Sequence, residues 1–288
     1  MNTFILYPSV PCVFLAVIFI ALRWAAVPRN RQRTAWMLLV SLLALPLGVL
    51  STWTANELSS VRPSKYDQFI YQIDNYFGQP SFLLGQICHT HKSALIIAVV
   101  SYGLLVAMMV LALAIYIWNA QAEDALLLAM AFVLNLFLCV PFYLAIPVSG
   151  PVFAFSGFPF QRPENLAAHM IPIASAPNGI PSVHMSTALL IFWFLRRWRW
   201  SMPIGVAYAL LTIFATLGLG QHYFFDLICA VPYTVAVYLL ATKLRLRSRG
   251  NRSRNLNVYE TVPPTTVKND NCETLTSVGV STIGHLNR

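Results

Sequence analysis

The sequence predicts an all-α fold, a polytopic membrane helix bundle of about seven spanning helices, and three observations carry that expectation. Of the 288 residues, 57% are hydrophobic and only 10% charged, where a soluble domain holds roughly a quarter charged residues. Several uncharged stretches reach the ~20 residues that cross a hydrocarbon core of ~30 Å. The basic residues fall into three short clusters: Arg29, Arg31 and Arg33; Arg196, Arg197 and Arg199; and Lys243 through Arg254. Each directly follows an apolar run, the positive-inside pattern of cytoplasmic loops. Topology thus explains the net charge of +9 and calls for a bilayer, not nucleic acid, as the partner.

The first span is expected from about Ile5 to Val27, with Tyr7 and Trp24 at the levels of the aromatic belts. Its charges come after the apolar stretch, unlike those of a cleaved leader, so it reads as a retained helix. The second covers about Ala35 to Trp53 and carries Pro46, a kink that membrane helices tolerate. From Thr54 to Lys92 the chain turns polar, and Glu57, Asp67 and Asp74 balance Arg62, Lys65 and Lys92. Within this loop Phe69, Ile73 and Tyr76 recur at helical spacing, which predicts a helix lying in the outer interface.

The third span is expected at about Ser93 to Trp118 and the fourth at about Ala125 to Ile146. A short fifth runs from about Ile180 to Leu195, the sixth from Pro203 to Leu219, and the seventh from Tyr223 to Ala241. Residues 245–288 then lose apolar periodicity and are rich in Asn, Ser, Thr and Arg, as a disordered tail would be. The organisation is therefore one membrane-embedded unit, 1–244, followed by a basic cytoplasmic tail, 245–288.

Placing Arg29–Arg33 inside puts the Thr54–Lys92 and Val148–Gly179 loops outside, and leaves the arginines at 196–199 and the tail inside. Seven spans satisfy all three clusters. The turn near Ala120 is short and weakly acidic and does not bear on the orientation. Cys12, Cys88, Cys139, Cys229 and Cys272 show neither paired spacing nor a metal signature. His89 and His91 have the spacing of a metal pair but no further ligands nearby, so no metal site and no cofactor is expected.

With that orientation His184 sits at the outer end of the fifth span and His222 at the outer junction of the sixth and seventh. One helical hairpin separates them, so both imidazoles end at the same depth on one side. Asp226 lies four residues after His222 on the same helix face, just inside an apolar span. A carboxylate there is costly and functional by default. It would fix the His222 tautomer and leave the other ring nitrogen free to attack, while His184 protonates a leaving oxygen. Gly179, Pro181 and Ser182 form a tight turn into the fifth span, and N–H groups at such a helix N-terminus suit phosphate oxygens.

Gly179, then Pro181-Ser182-Val183-His184, followed by His222-Tyr223-Phe224-Phe225-Asp226, resemble the second and third motifs of the type 2 phosphatidic acid phosphatase superfamily. Tyr143, Pro147, Gly150 and Pro151 are similar to the stretch preceding the motifs in its inositol phosphorylceramide synthase-like (inositolphosphotransferase) branch. The resemblance implies a six-helix catalytic core, motif-bearing from about residue 125 to 244, and a phosphohistidine intermediate. It makes His222 the nucleophile, Asp226 its partner and His184 the acid and later base, with Gly179, Ser182, Arg162 and Tyr143 toward the phosphate. The phosphatase branch carries a Lys where this chain has Phe155, and Ser-Arg where it has Ala215 and Thr216. Arg162, Lys65, Lys92 or His169 would have to supply the missing positive charge.

The function implied is removal or transfer of the phosphorylated head group of a phospholipid or sphingolipid, with transfer to an alcohol favoured over hydrolysis. The active site would face outward or lumenally, in a plasma (inner) or secretory-pathway membrane. Two alternatives stay open. One is a non-catalytic lipid carrier or flippase of the same fold; the other is a zinc hydrolase using His169, His184 and His222. Lipid identity and oligomeric state are not encoded legibly.

Overall fold

A computed structural model describes residues 66–119, 121–163 and 178–260. The two spans expected before Trp53, together with Lys65 and His169, lie outside the described residues. Regular structure among the described residues is helical.

Helix α1 (Asp67–Asn75) forms in the stretch where the aromatic spacing predicts a helix. Phe69 and Tyr76 project from it, 57% and 91% exposed. Its buried face carries Asp67, Ile70, Tyr71 and Asp74. The two acids, expected as loop charges balanced by Arg62, Lys65 and Lys92, are instead fully enclosed. Tyr71 packs edge-on against Phe82 and Phe155, with ring centroids 5.6 and 5.0 Å apart.

The polar loop expected to continue to Lys92 instead contains helix α2 (Pro80–Thr90), opened by a proline in its first turn. Proline suits that position because the first N–H groups of a helix have no internal acceptor. Helix α2 turns through 117° at His91 into α3 (Lys92–Gly103). The stretch expected as the third span holds two successive helices: α3 ends at Gly103, and α4 (Leu105–Trp118) begins after Leu104.

Helices α5 (Ala122–Leu138) and α6 (Val140–Ala145) together make a span, Glu123–Ala145, close to the expected fourth. A single turn, α7 (Pro151–Ala154), comes next. Helices α8 (Val183–Leu195), α9 (Met202–Gly218) and α10 (Phe224–Glu260) begin within three residues of the expected fifth, sixth and seventh spans. The helix of the last extends beyond Arg245, where the sequence suggests loss of structure. The chain divides into two compact units between Leu246 and Arg247, and the histidine and aspartate motifs belong to the first.

Among the described residues, Glu123–Ala145 and Phe224–Arg247 are long and apolar enough to cross a membrane, and the bent pair α2 and α3 is a third candidate. Helices α4, α8 and α9 are apolar but shorter. Their packing obeys membrane rules, with small residues at the crossings. Ala131 and Ala188 are buried in the main cluster with Leu128, Leu190, Ile191 and Val237. A side chain at Gly205 of α9 would lie 2.9 Å from the Phe192 Cα of α8.

Polar contacts fix the register. The Asn135 amide of α5 donates to the Thr187 hydroxyl of α8 at 2.9 Å and accepts from Ser186 at 2.7 Å. Tyr233 of α10 donates to the Asn135 carbonyl at 2.5 Å. At one end of the bundle Asp124 accepts from Arg197 at 2.6 Å and Arg245 at 2.9 Å, and Arg245 also reaches Glu123 at 3.1 Å. The acidic turn, neutral for topology, thus pairs with two of the basic clusters. Since α8 runs ~20 Å at 1.5 Å per residue, His184 at its start stands at the opposite end of the bundle from Arg197.

Candidate functional site

The turn between α9 and α10 is bound on several sides. The Thr216 carbonyl accepts from the N–H groups of Gln221, at 3.0 Å, and His222, at 3.3 Å. The Gly220 carbonyl accepts from Val152 at 3.0 Å, and the Ser81 hydroxyl donates to the His222 carbonyl at 3.0 Å. Gly150 packs beneath it with a φ of +108°, and a Cβ there would fall 2.3 Å from the Gln221 carbonyl oxygen. That contact requires the backbone to move. Gly150→Ala is therefore expected to displace the turn and lower turnover by about 10²-fold, measured as initial rate per folded molecule.

Ser182 caps α8. Its hydroxyl accepts from the Met185 N–H at 3.3 Å, the usual geometry for satisfying a first-turn donor. One turn in, His184 stacks on Tyr102 of α3, with centroids 4.1 Å apart and planes inclined by 21°. The His184 and His222 rings stand 6.2 Å apart, tilted by 56°. The structure thus brings together the two imidazoles, 38 positions apart in the sequence.

Asp226 Oδ2 lies 3.4 Å from His222 Nδ1 and accepts from the Tyr223 N–H at 2.9 Å. Its Oδ1 is buried and has no hydrogen-bond partner among the described residues. The Asp226 carbonyl accepts from the Ser182 N–H at 3.4 Å, which ties the two motif segments to each other. The Gly179 N–H donates to the Val148 carbonyl at 2.7 Å, while its own carbonyl bears on the His222 ring and favours the charged imidazole. Burial is the larger influence and lowers the His222 pKa to about 4. The ring, in the turn ahead of the last span, is therefore neutral at neutral pH.

Two carboxylates to which no sequence motif points border this turn. Asp67 Oδ1 accepts from the Gly150 N–H and the Tyr223 hydroxyl, both at 3.0 Å, and both of its oxygens lie 3.2 Å from the Ser149 N. Asp74 accepts from the Phe224 and Phe225 N–H groups at 2.8 and 2.9 Å. Burial raises each pKa to about 6 against the pull of these donors. In the sequence they look like ordinary charges of a polar loop.

A family model described as the PAP2 superfamily matches residues 68–240, more than half of the chain. The chain belongs to the PAP2 superfamily. Comparisons with curated proteins and with solved structures gave no significant match. Members of this superfamily are phosphatases and phosphotransferases, and the apolar spans above make this one an integral membrane protein.

The cation positions of the PAP2 phosphatase branch are filled here by packing. Phe155 is buried between Tyr71 and Phe82. Ala215 packs with Cys88 and Ala98, and Thr216 is enclosed, its hydroxyl donating to the Thr212 carbonyl at 2.7 Å. All three side chains are buried. Arg162 and Lys92 are exposed, and the Arg162 charge is felt at Tyr71. Tyr143 is buried and donates to the Pro181 carbonyl at 3.3 Å, bracing the loop ahead of α8. Among the described residues, no Lys or Arg forms an ion pair with Asp226.

Proposed function

We propose that this protein is a lipid phosphatase or phosphotransferase that works through a phosphohistidine on His222. The observation that carries the reading is the pair of imidazoles, the buried His222 and the half-buried His184, with ring centroids 6.2 Å apart and Asp226 beside His222. In the first step a His222 ring nitrogen attacks phosphorus, the bond from phosphorus to the lipid oxygen breaks, and His184 gives that oxygen a proton. In the second, His184 takes a proton from water or an alcohol, whose oxygen attacks phosphorus and frees His222. Asp226 holds the His222 ring in the orientation that offers the attacking lone pair.

The N-terminus of α8 supports binding of the phosphoryl oxygens. The Val183 and His184 N–H groups lie in its first turn, Ser182 keeps a hydroxyl hydrogen to donate, and the helix dipole favours negative charge. Arg162 would enter from the loop side. The filled cation pockets favour the inositol phosphorylceramide synthase-like branch, and with it transfer of a phosphorylated head group to an alcohol. A dianionic monoester needs more positive charge than these helices supply, whereas a monoanionic diester needs less. With the histidines opposite the Asp124–Arg197–Arg245 cluster, the positive-inside rule orients the site outward or toward a lumen, in a bundle of about seven spans.

The test is to incubate purified protein with phospholipids and sphingolipids labelled at phosphorus, with and without inositol, and to quench rapidly. An acid-labile, base-stable phosphoenzyme is expected, and its turnover should yield a new phosphodiester when the alcohol is present. Because attack needs the unprotonated ring, the limb of formation rate set by the nucleophile should fall only as the pH drops through about 4, not through the ordinary histidine value of ~6.5. Intact label across the whole panel, with no covalent intermediate, would overturn the reading and favour a non-catalytic lipid carrier.

A further inference from the structure

Helix α1 places Asp67 and Asp74 seven residues apart, close to two turns, so they share one face; both are completely buried. Neither forms an ion pair with a described Lys or Arg: Asp67 bonds to two backbone N–H groups and a hydroxyl, and Asp74 to two backbone N–H groups. Their partners flank the nucleophile's turn. Asp74 takes the first two N–H groups of α10, which would otherwise lack acceptors. Asp67 holds the Tyr223 hydroxyl on one side and, on the other, the N–H groups of Ser149 and Gly150, whose backbone abuts the Gln221 carbonyl. His222 lies between the two anchored stretches, and Asp226 is on the same short segment.

We propose that Asp67 and Asp74 are positioning residues, setting the His222 ring for attack by fixing the Gln221–Asp226 segment to helix α1. This rests on the phosphoryl-transfer reading above. Buried carboxylates are a costly choice for packing alone, but one carboxylate offers acceptors to two adjacent N–H groups at once. An asparagine offers one oxygen and turns an NH₂ toward the second donor. Helix α1 thereby becomes part of the catalytic machinery without touching substrate.

The experiment compares rapid-quench phosphoenzyme formation in the wild type, His222→Ala, Asp74→Asn, Tyr223→Phe and Asp226→Asn, and in the Asp74→Asn, Asp226→Asn pair. Asp74→Asn is expected to slow the burst rate constant and kcat by about 10–100-fold, since ~1 Å of misplacement costs on that order, with KM within about twofold. In the Asp226→Asn background the same change should cost several-fold less, the non-additivity of residues acting through one segment. A merely structural role would lower the burst amplitude, the fraction of folded sites, and leave the rate constant alone. Tyr223→Phe removes one hydroxyl from the Asp67 grip at constant shape and should slow the burst by roughly 3–10-fold. It decides the matter if Asp74→Asn does not fold. Wild-type burst rates in both variants would overturn the positioning role while leaving His222 as nucleophile. A burst that survives in His222→Ala would instead overturn the parent reading.

Discussion

His222→Ala is expected to abolish phosphoenzyme formation and to lower lipid turnover by at least about 10⁴-fold, the scale on which removing a covalent nucleophile acts. Alanine takes away the attacking nitrogen but leaves the anchors of the turn in place, because those run through the backbone. The His222 carbonyl still accepts from Ser81 and its N–H still reaches Thr216. The variant should therefore melt within a few degrees of the wild type while its burst disappears. Retained head-group release at even a tenth of the wild-type rate would remove His222 from the chemistry.

His184→Ala is expected to lower kcat by about 10²–10⁴-fold, the range of a positioned general acid, with KM little changed. The imidazole stacks on Tyr102, so its loss leaves a small gap at the mouth and not a collapsed core. Leaving-group dependence gives the sharper test. A substrate with an activated phenolic leaving group needs no proton from the enzyme, so it should recover most of the lost first step in His184→Ala and none in His222→Ala. Equal losses for both variants on that substrate would assign His184 to binding instead of proton transfer.

How much of this was legible in the sequence depends on where the information lay. Helices α5, α8, α9 and α10 were readable because apolar runs with basic flanks mark them in the sequence. That His184, His222 and Asp226 come together was readable because one helical hairpin separates the histidines and because the motifs resemble a known family. Helix α2 was not, since a Gly-Gln-Pro turn inside a polar stretch gives no hint that the next helix bends through 117°. Asp67 and Asp74 were misjudged for a plainer reason: sequence pattern counts charges, and their partners are backbone N–H groups some 80 and 150 positions away. The substitutions at the cation positions were visible in the sequence, but the burial of Phe155, Ala215 and Thr216 was not.

The bonds from Asp74 to Phe224 and Phe225 join positions 150 and 151 apart in the chain. During synthesis the early carboxylates must wait for the last hairpin, and the loop they close spans about half of the 288-residue polypeptide. The turn that carries His222 gains its Asp74 anchor only once the last described helix has been made.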